Sequence, residues 1–370
     1  MSPSSAIVVG AGIVGAACAE ALAEAGLHVT VLESSFPGAG ATGASMGHVV
    51  VMDDSEAQLA LTRLSRRLWE ERAASLPPEA EDERCGTLWV AASAPEMELV
   101  RAKAALYEAR GVKAEVLDAT ALREAEPHLR PGLVGALLVP GDRVLYPPAA
   151  TRFLLEGARR GGAEVWPGQR VEVAEAGRVR TAGGRWLEAD LVVMAAGAES
   201  PRLVPGLPIV PRRGHLVITD RYPGLLRHQV VELGYVASAH SLGAESVAFN
   251  AQPRRTGQVL VGSSRELVGW DPSVNAGLRA RMLRRACEYV PALAGARAIR
   301  TWVGFRPATA DHLPLVGRWE DGLWVAAGHE GLGVTTAPGT ARLLADLVLG
   351  RTPPIDPAPF DPRRPVLAHA

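Results

Sequence analysis

Three glycines near the start of the chain have the spacing of a phosphate-binding turn. Gly10, Gly12 and Gly15 follow an apolar run that is typical of a buried strand, and they open a predicted helix. Glycine there lets the backbone approach a pyrophosphate at the positive end of the helix. Glu33 closes the next predicted strand, where a carboxylate can accept a hydrogen bond from a ribose hydroxyl. The pattern predicts a dinucleotide-binding βαβ unit, since a glycine turn used only for packing would leave Glu33 unexplained.

A single arginine stands in a mostly apolar run far from these glycines. Arg306 lies between Gly304-Phe305 and Pro307. Its guanidinium is always charged, and the planar fork matches a carboxylate with two parallel hydrogen bonds. The alternative is an ion pair with an internal acid such as Asp311.

Composition limits the kind of protein that contains these residues. The chain has 370 residues, more than one ordinary core holds, so we expect two domains. The net charge of −1 gives no basic face, and we expect no nucleic-acid partner. Cys18, Cys85 and Cys287 are too far apart for a disulfide framework or a metal cluster, and they suit a reducing cytoplasm. The same cysteine spacing predicts no metal site. No apolar run reaches the ~20 residues of a membrane helix, so we expect a soluble, cytoplasmic protein.

The elements that must position the glycines and the arginine follow from hydrophobic periodicity. From about residue 210 to 265, alternating apolar and polar residues predict an antiparallel sheet. A final strand, glycine turn and helix occupy residues 323–350. Earlier helices are predicted over residues 13–26, 56–74, 96–110, 149–160 and 276–289.

Three further loops of small residues favour a flavin over a nicotinamide cofactor. They are residues 40–47, residues 195–197 and residues 328–334, and the last leads into a helix. The start of that helix would place partial positive charge against an electron-accepting ring. An acidic residue at position 33 argues against a 2′-phosphate on the ligand.

Taken in order, these motifs resemble the D-amino-acid oxidase and glycine oxidase superfamily of FAD-dependent oxidoreductases, over nearly the whole chain. The resemblance implies an α/β (α+β overall) fold and oxidation of an amine or amino acid by hydride transfer to flavin N5. It implies a Rossmann-like FAD-binding domain assembled from residues 1–75, 145–205 and 300–370. The remaining residues, 76–144 and 206–299, would form a substrate domain with a mixed, largely antiparallel sheet.

Three stretches are similar to bacterial D-hydroxyproline dehydrogenases, which implies cis-4-hydroxy-D-proline as the substrate. They are MGHVVVMDDSEAQLALTRLSRRLW, ELGYVASAHS and SVAFNAQPRRTGQVLVGSSRE. Subunits that oxidise glycine, sarcosine, proline or opines share much of this framework and stay open as alternatives. An FAD-bearing electron-transfer subunit of a complex and a nicotinamide-dependent dehydrogenase are further alternatives. Assembly as a homo-oligomer or with other dehydrogenase subunits stays open too.

The resemblance also implies roles for individual residues. Arg306 would bind the substrate carboxylate, and His48 and Tyr235 are the other catalytic candidates. Asn250, Gln252 and His329 are further substrate-contact candidates, although each of these residues could equally be structural. FAD is expected to be held non-covalently. His48 is the one residue whose expected position beside the flavin would allow a covalent bond instead. The residues expected to contact FAD are Gly10, Gly12, Ile13, Val14, Gly15, Glu33, Ser34, Ala44, Ser45, Gly47, His48, Val171, Ala196, Gly197, Gly304, Arg306, His329, Glu330, Gly331, Leu332, Gly333, Val334 and Thr335.

Overall fold

The structure, a computed structural model, describes residues 3–234 and 245–365. Its strands, numbered in chain order, are β1 (Ser5–Val9), β2 (His28–Glu33), β3 (His48–Val49), β4 (Thr87–Ala91), β5 (Glu115–Asp118), β6 (Gly135–Val139), β7 (Arg143–Val144), β8 (Glu164–Pro167), β9 (Val171–Glu175), β10 (Arg178–Thr181), β11 (Trp186–Glu188), β12 (Leu191–Met194), β13 (Val210–Arg221), β14 (Gln229–Glu232), β15 (Glu245–Pro253), β16 (Gln258–Glu266), β17 (Ala298–Ala308), β18 (Leu315–Glu320) and β19 (Leu323–Ala327). The α-helices are Ile13–Glu24, Glu56–Arg72, Ala94–Ala109, Ala119–Ala125, Pro147–Arg160, Ser200–Leu203, Ala276–Tyr289 and Gly333–Val348.

A six-stranded sheet in the order β18-β19-β12-β1-β2-β8 carries the glycine motif. The pairs β19–β12, β12–β1, β1–β2 and β2–β8 are parallel, and only β18 runs antiparallel to its neighbour. Strand β1 is continuously apolar from Ala6 to Val9 because it is buried on both faces, as strands of a covered parallel sheet are. One face is covered by helices Ile13–Glu24, Pro147–Arg160 and Gly333–Val348.

Glycine is required where β1 passes into the first helix. A Cβ on Gly15 would lie 2.0 Å from the carbonyl oxygen of Gly10. A Cβ on Gly10, whose φ is +105°, would lie 2.6 Å from the carbonyl oxygen of Ala195 in the loop after β12. The helix therefore begins directly against the end of the strand, and its first turn is open toward neighbouring loops.

The second large sheet has eight strands in the order β17-β13-β16-β15-β14-β4-β6-β5. Its pairs are antiparallel except β14–β4, which is parallel. Smaller sheets join β9, β10 and β11, and β3 to β7. The predicted fold class is confirmed, and the antiparallel region lies where the alternating pattern predicted it.

Predicted helices match the observed ones to within a few residues at each end. Helix Ala276–Tyr289 has the predicted bounds, and strand His28–Glu33 ends at Glu33 as predicted. The predicted division into two domains stays a prediction. Strand β17, most of which that division assigns to the cofactor-binding domain, pairs with β13 in the eight-stranded sheet. Among the described residues, no helix combines the length and apolar character needed to cross a bilayer.

Candidate cofactor and substrate site

A cavity of about 570 Å³ lies where the two large sheets meet. Val9, Leu32 and Ala326 line it from the six-stranded sheet. Leu216 and Gly304 line it from the eight-stranded sheet. Its volume is in the range of small-molecule and cofactor sites.

The end of this cavity near β1 and β2 is built from backbone and one carboxylate. Glu33 is 8% exposed, and its two carboxylate oxygens accept from the backbone N–H of Ala11 (2.9 Å) and of Ser35 (2.8 Å). The Oγ1 of Thr42 accepts from the backbone N–H of Ile13 at 3.0 Å, which ties the loop of residues 40–47 to the first helix. These bonds fix the acid and the turn in place before any ligand arrives.

His48 lies at the other end of the cavity. Its Nε2 is 3.1 Å from the carbonyl oxygen of Gly331, so Nε2 carries the proton and Nδ1 is left as an acceptor. Burial lowers the pKa of His48 to about 4, and the nearby charges of Arg306 and Arg265 also lower it, against the opposing effect of the Gly331 bond. The ring is therefore neutral at pH 7. Thr335 fixes its backbone by donating from Oγ1 to the carbonyl oxygen of His48 at 2.9 Å.

The turn before the C-terminal helix contributes both backbone and charge. His329 is buried, its Nε2 lies 3.0 Å from Oγ1 of Thr340, and burial lowers its pKa to about 3. Helix Gly333–Val348 begins at this turn without a side-chain cap, and Gly333 and Val334 line the cavity. The free N–H groups of its first turn are thus directed at a possible ligand.

Glu330 is the acidic centre of a group of cations. Its Oε1 lies 3.0 Å from Arg212 Nη1 and 3.9 Å from Arg265 Nε, and its Oε2 lies 2.8 Å from His312 Nδ1. Burial alone would raise the pKa of Glu330, but the hydrogen bond with His312 and the charges of Arg265 and Arg212 lower it to about 2. Glu330 is therefore ionised, and the surrounding arginines leave this end of the site positive.

Arg306 lines the cavity from β17, and Asp311, the acid considered above as its partner, is bound by another arginine. Asp311 is bound by Arg364 through two hydrogen bonds of 2.6 and 2.7 Å. Arg306 instead donates from Nη1 to the carbonyl oxygen of Ser264 at 3.0 Å. Its guanidinium lies over Gly214, where a Cβ would come within 2.1 Å of Nη1. The interpretation of Arg306 as the partner of Asp311 is therefore wrong.

A second cavity, of about 60 Å³, adjoins the first. The two share the lining residues His48, His329, Glu330 and Gly331. The wall of the smaller cavity includes the polar side chains of Trp89, Gln229 and Asn250 beside apolar ones such as Val231 and Leu332.

The structure gathers most of the predicted cofactor contacts around the large cavity. Those that line it are Gly10, Gly12, Ile13, Val14, Glu33, Ser34, Ala44, Ser45, His48, Val171, Ala196, Gly197, Gly304, Arg306, His329, Glu330, Gly331, Gly333 and Val334. Four others do not line it. Gly15 packs against Gly10, Gly47 packs against the carbonyl oxygen of Leu145, and Thr335 is bonded to the backbone of His48. Leu332 lines the second cavity.

The predicted substrate contacts in and beside the antiparallel sheet do not lie together around one cavity. Asn250 lines the second cavity. Gln252 lines neither cavity, because its Nε2 donates to the carbonyl oxygen of Met46 at 2.5 Å. Tyr235 lies outside the described residues.

Several lining residues were not found from the sequence. Thr42 lay inside a loop that had been singled out, so its hydroxyl was a detectable signal. Trp89, Gln229 and Trp270 come from two strands and a loop with no motif around them, and Arg265 lies in one of the three stretches quoted above but was not singled out. Among the described residues, no three His, Cys, Asp or Glu side chains are grouped so as to hold a metal ion.

The residues around the large cavity fit FAD. Helices Ile13–Glu24 and Gly333–Val348 both begin at its wall, and neither has a side-chain hydrogen bond from its N-cap residue. The start of helix Ile13–Glu24, together with Gly10 and Gly12, suits a pyrophosphate, and the oxygens of Glu33 suit a ribose hydroxyl. The second start suits the electron-rich side of a flavin ring.

Comparison with known proteins agrees with this geometry. The family described as FAD dependent oxidoreductase (DAO) matches residues 5–347. The glycine oxidase of Pseudomonas aeruginosa is 30% identical over 384 residues, covering 96% of this chain and 98% of that protein. The D-amino acid dehydrogenase of Xanthobacter autotrophicus is 33% identical over 296 residues, covering 75% of this chain and 67% of that protein.

A solved structure extends the likeness to the whole fold. The glycine oxidase of Geobacillus kaustophilus superimposes with a TM-score of 0.86 at 28% identity, covering 98% of both chains. Sequence, fold and site therefore lead to one conclusion. This chain belongs to the FAD-dependent oxidoreductase family, and its cofactor is FAD.

Proposed function

We propose that the chain oxidises a D-amino acid or a cyclic secondary amino acid to the imino acid, with cis-4-hydroxy-D-proline as the leading substrate. When bound, FAD supplies the acceptor for the hydride that leaves the substrate α-carbon. The observation that carries the proposal is Arg306, a guanidinium that lines the cavity beside the predicted flavin end and is not engaged by Asp311. Relatives named glycine oxidase and D-amino acid dehydrogenase support an amino acid as the substrate.

Arg306 would hold the substrate carboxylate. Its planar fork fits a carboxylate, and the bond from Nη1 to the Ser264 carbonyl together with the flat surface of Gly214 fixes the orientation of that fork. A carboxylate held at a fixed position also fixes the α-hydrogen, which is catalysis by positioning. Arg212 and Arg265 around Glu330 add a positive field that attracts an anionic substrate group.

His48 would contact the substrate amine. It is neutral at pH 7, and its acceptor is Nδ1 because Nε2 is bonded to Gly331; this Nδ1 is buried and has no hydrogen-bond partner among the described residues. An accepting nitrogen favours the amine over the carboxylate as its partner. The reaction then needs no strong protein base, because a substrate amine that loses its proton on binding leaves only the hydride to move.

The test is an anaerobic visible spectrum of the purified holoprotein before and after addition of cis-4-hydroxy-D-proline. We expect the flavin absorbance to bleach, and admission of air then reports whether oxygen serves as acceptor. Bleaching only by glycine, sarcosine or D-proline would keep amino-acid oxidation and replace the substrate. A flavin that no amino acid reduces would contradict the proposal and favour an electron-transfer subunit. Acid precipitation should release the flavin, as expected for non-covalent FAD.

A further inference from the structure

We propose that the second cavity is a subsite for a hydroxyl group of the substrate, formed by Trp89, Gln229 and Asn250. This inference rests on the proposed amino-acid oxidation and specifies which amino acids the site selects. It assigns a specificity role to Trp89 and Gln229, which no motif singles out, and gives a defined role to Asn250, already a substrate-contact candidate from the sequence.

The first observation is a group of buried polar atoms that the protein itself leaves without partners. Trp89 is 2% exposed, Gln229 3% and Asn250 3%. Among the residues that the structure describes, Trp89 Nε1, Gln229 Oε1 and Asn250 Oδ1 have no hydrogen-bond partner. All three side chains line the same 60 Å³ cavity. Buried polar groups are nearly always satisfied, so three such atoms around one space indicate that a ligand or water completes them.

The second observation is that the sheet fixes the three side chains on one face. Val231 of β14 is the register partner of Trp89 on β4 and of Asn250 on β15. Gln229 lies two residues before Val231, so it points to the same face of β14. Three adjacent strands therefore present these groups together, and the position of the subsite does not depend on a loop.

The chemistry of the lining selects a hydroxyl. The indole of Trp89 can only donate, whereas the terminal amides of Gln229 and Asn250 offer acceptor oxygens as well as donors. A hydroxyl donates one hydrogen bond and accepts two, so it uses both kinds of group. An ammonium cannot accept from Trp89. A carboxylate cannot donate to the two amide oxygens.

Size and place agree with this choice. A volume of 60 Å³ is that of about two water molecules, enough for a hydroxyl and part of its carbon. The four residues shared with the large cavity put the subsite beside the flavin end that Arg306 also lines. A small amino acid can therefore place its carboxylate at Arg306 and a hydroxyl of its ring or side chain in the second cavity.

The first arm of the test compares kcat/KM for cis-4-hydroxy-D-proline and D-proline, which differ by the hydroxyl alone. We expect the wild-type protein to favour the hydroxylated substrate by about 100-fold or more, because an unfilled polar site rejects the analogue. Asn250→Leu, Gln229→Leu and the milder Trp89→Phe should each reduce this preference by about tenfold. Gln258→Leu on β16 is the matched control, since Gln258 lines neither cavity and accepts from Thr256.

The second arm measures binding without turnover. Cyclopentanecarboxylate and cis-3-hydroxycyclopentanecarboxylate lack the amine, cannot be oxidised in this way, and differ by one hydroxyl. Their dissociation constants follow from the shift they cause in the visible spectrum of the bound flavin. We expect tighter binding of the hydroxylated probe by about tenfold in the wild type and equal binding in Asn250→Leu.

The outcomes separate this inference from the function on which it rests. Flavin reduction by D-proline as efficient as by its hydroxylated form, or equal binding of the two probes, overturns the subsite and leaves amino-acid oxidation standing. Variants that lower kcat/KM for both substrates in the same proportion also overturn it. A flavin that neither substrate reduces, with the hydroxylated probe still preferred, retains the subsite and contradicts the proposed reaction.

Discussion

The two cavities are built from different parts of the polypeptide. The large one is enclosed mainly by backbone, small residues and helix starts, as at Gly10, Gly12 and Gly333. In the small one, large side chains from neighbouring strands of one sheet, such as Trp89 and Asn250, supply the polar groups of a wall that also contains apolar residues. A cofactor common to a family can be bound by groups that every residue possesses, whereas a particular substrate has to be recognised by particular side chains.

This difference has a mechanical consequence. At the cofactor end, Gly10 lies against the backbone of Ala195, directly after β12, which cannot move without moving that strand. At the substrate end, Gly214 lies against the tip of the flexible side chain of Arg306. A larger side chain at Gly10 should therefore impair FAD binding by disturbing the fold. A larger side chain at Gly214 should impair substrate binding by displacing the guanidinium of Arg306.

Gly10→Ala should have the largest effect. The new Cβ would lie 2.6 Å from the Ala195 carbonyl oxygen, at a φ of +105° that side chains rarely adopt. We expect little or no bound FAD and a free energy of unfolding lower by about 2–5 kcal/mol, from backbone strain and overpacking together. The flavin-to-protein absorbance ratio and denaturant unfolding measure both quantities. Gly26→Ala is the control, because Gly26 has a φ of +91° but nothing within 4 Å, and this variant should retain FAD.

Arg306→Ala should weaken substrate binding by about 100-fold or more, since removing one partner of a desolvated charge pair costs roughly 2–5 kcal/mol. FAD content should stay near that of the wild type, because backbone groups and Glu33 hold the other end of the cofactor. Anaerobic titration of the bound flavin with substrate gives the dissociation constant. Arg318→Ala removes an exposed pair with Asp321 and should change neither quantity. Unchanged affinity in Arg306→Ala would refute the carboxylate role.

Gly214→Ala should have an intermediate effect that is confined to the substrate. Its Cβ would lie 2.1 Å from Arg306 Nη1, so the guanidinium has to shift while the backbone stays in place. We expect KM to rise by about tenfold to 100-fold with FAD content and melting temperature nearly unchanged. Gly295→Ala, with nothing within 4 Å, is the matched control. If Gly214→Ala lost FAD as well, the two ends of the site would not be separable in this way.

His329 should have the smallest effect near neutral pH, because its effect develops only as the pH falls below 6.5. Burial lowers the pKa of His329 to about 3 from an ordinary value of 6.5, so between these values the unfolded chain binds a proton that the folded chain does not. The free energy of unfolding of the apoprotein should therefore fall as pH is lowered from 6.5 toward 3, by up to about 1.4 kcal/mol per pH unit for this group. His329→Gln should reduce that slope, and His48, with its pKa lowered to about 4, should account for part of what remains.

Chemical unfolding at several pH values measures this slope. Thr340→Val removes the hydroxyl that lies 3.0 Å from the His329 ring but leaves the ring itself. This control should lower stability at every pH without flattening the slope. An equal slope in His329→Gln and the wild type would contradict the assignment.

The sequence by itself determined the cofactor end. Gly10, Gly12 and Gly15 between a buried strand and a helix, followed by Glu33, were sufficient because a turn, a helix start and a strand end are local structures. Small-residue loops and the C-terminal helix could be found for the same reason, and they are the parts that line the large cavity. Arg306 was detectable as a charge in an apolar run, although the pairing of Asp311 with Arg364 was not.

Only the tertiary structure decided the substrate end. Trp89, Gln229 and Asn250 are separated by long stretches of chain and meet because β4, β14 and β15 are neighbours in the sheet. Asn250 and Gln252 looked equivalent on an alternating strand, yet one lines a cavity and the other donates to Met46. Strand order and the partner of each buried amide depend on packing between distant segments, and local sequence patterns carry no information about that packing.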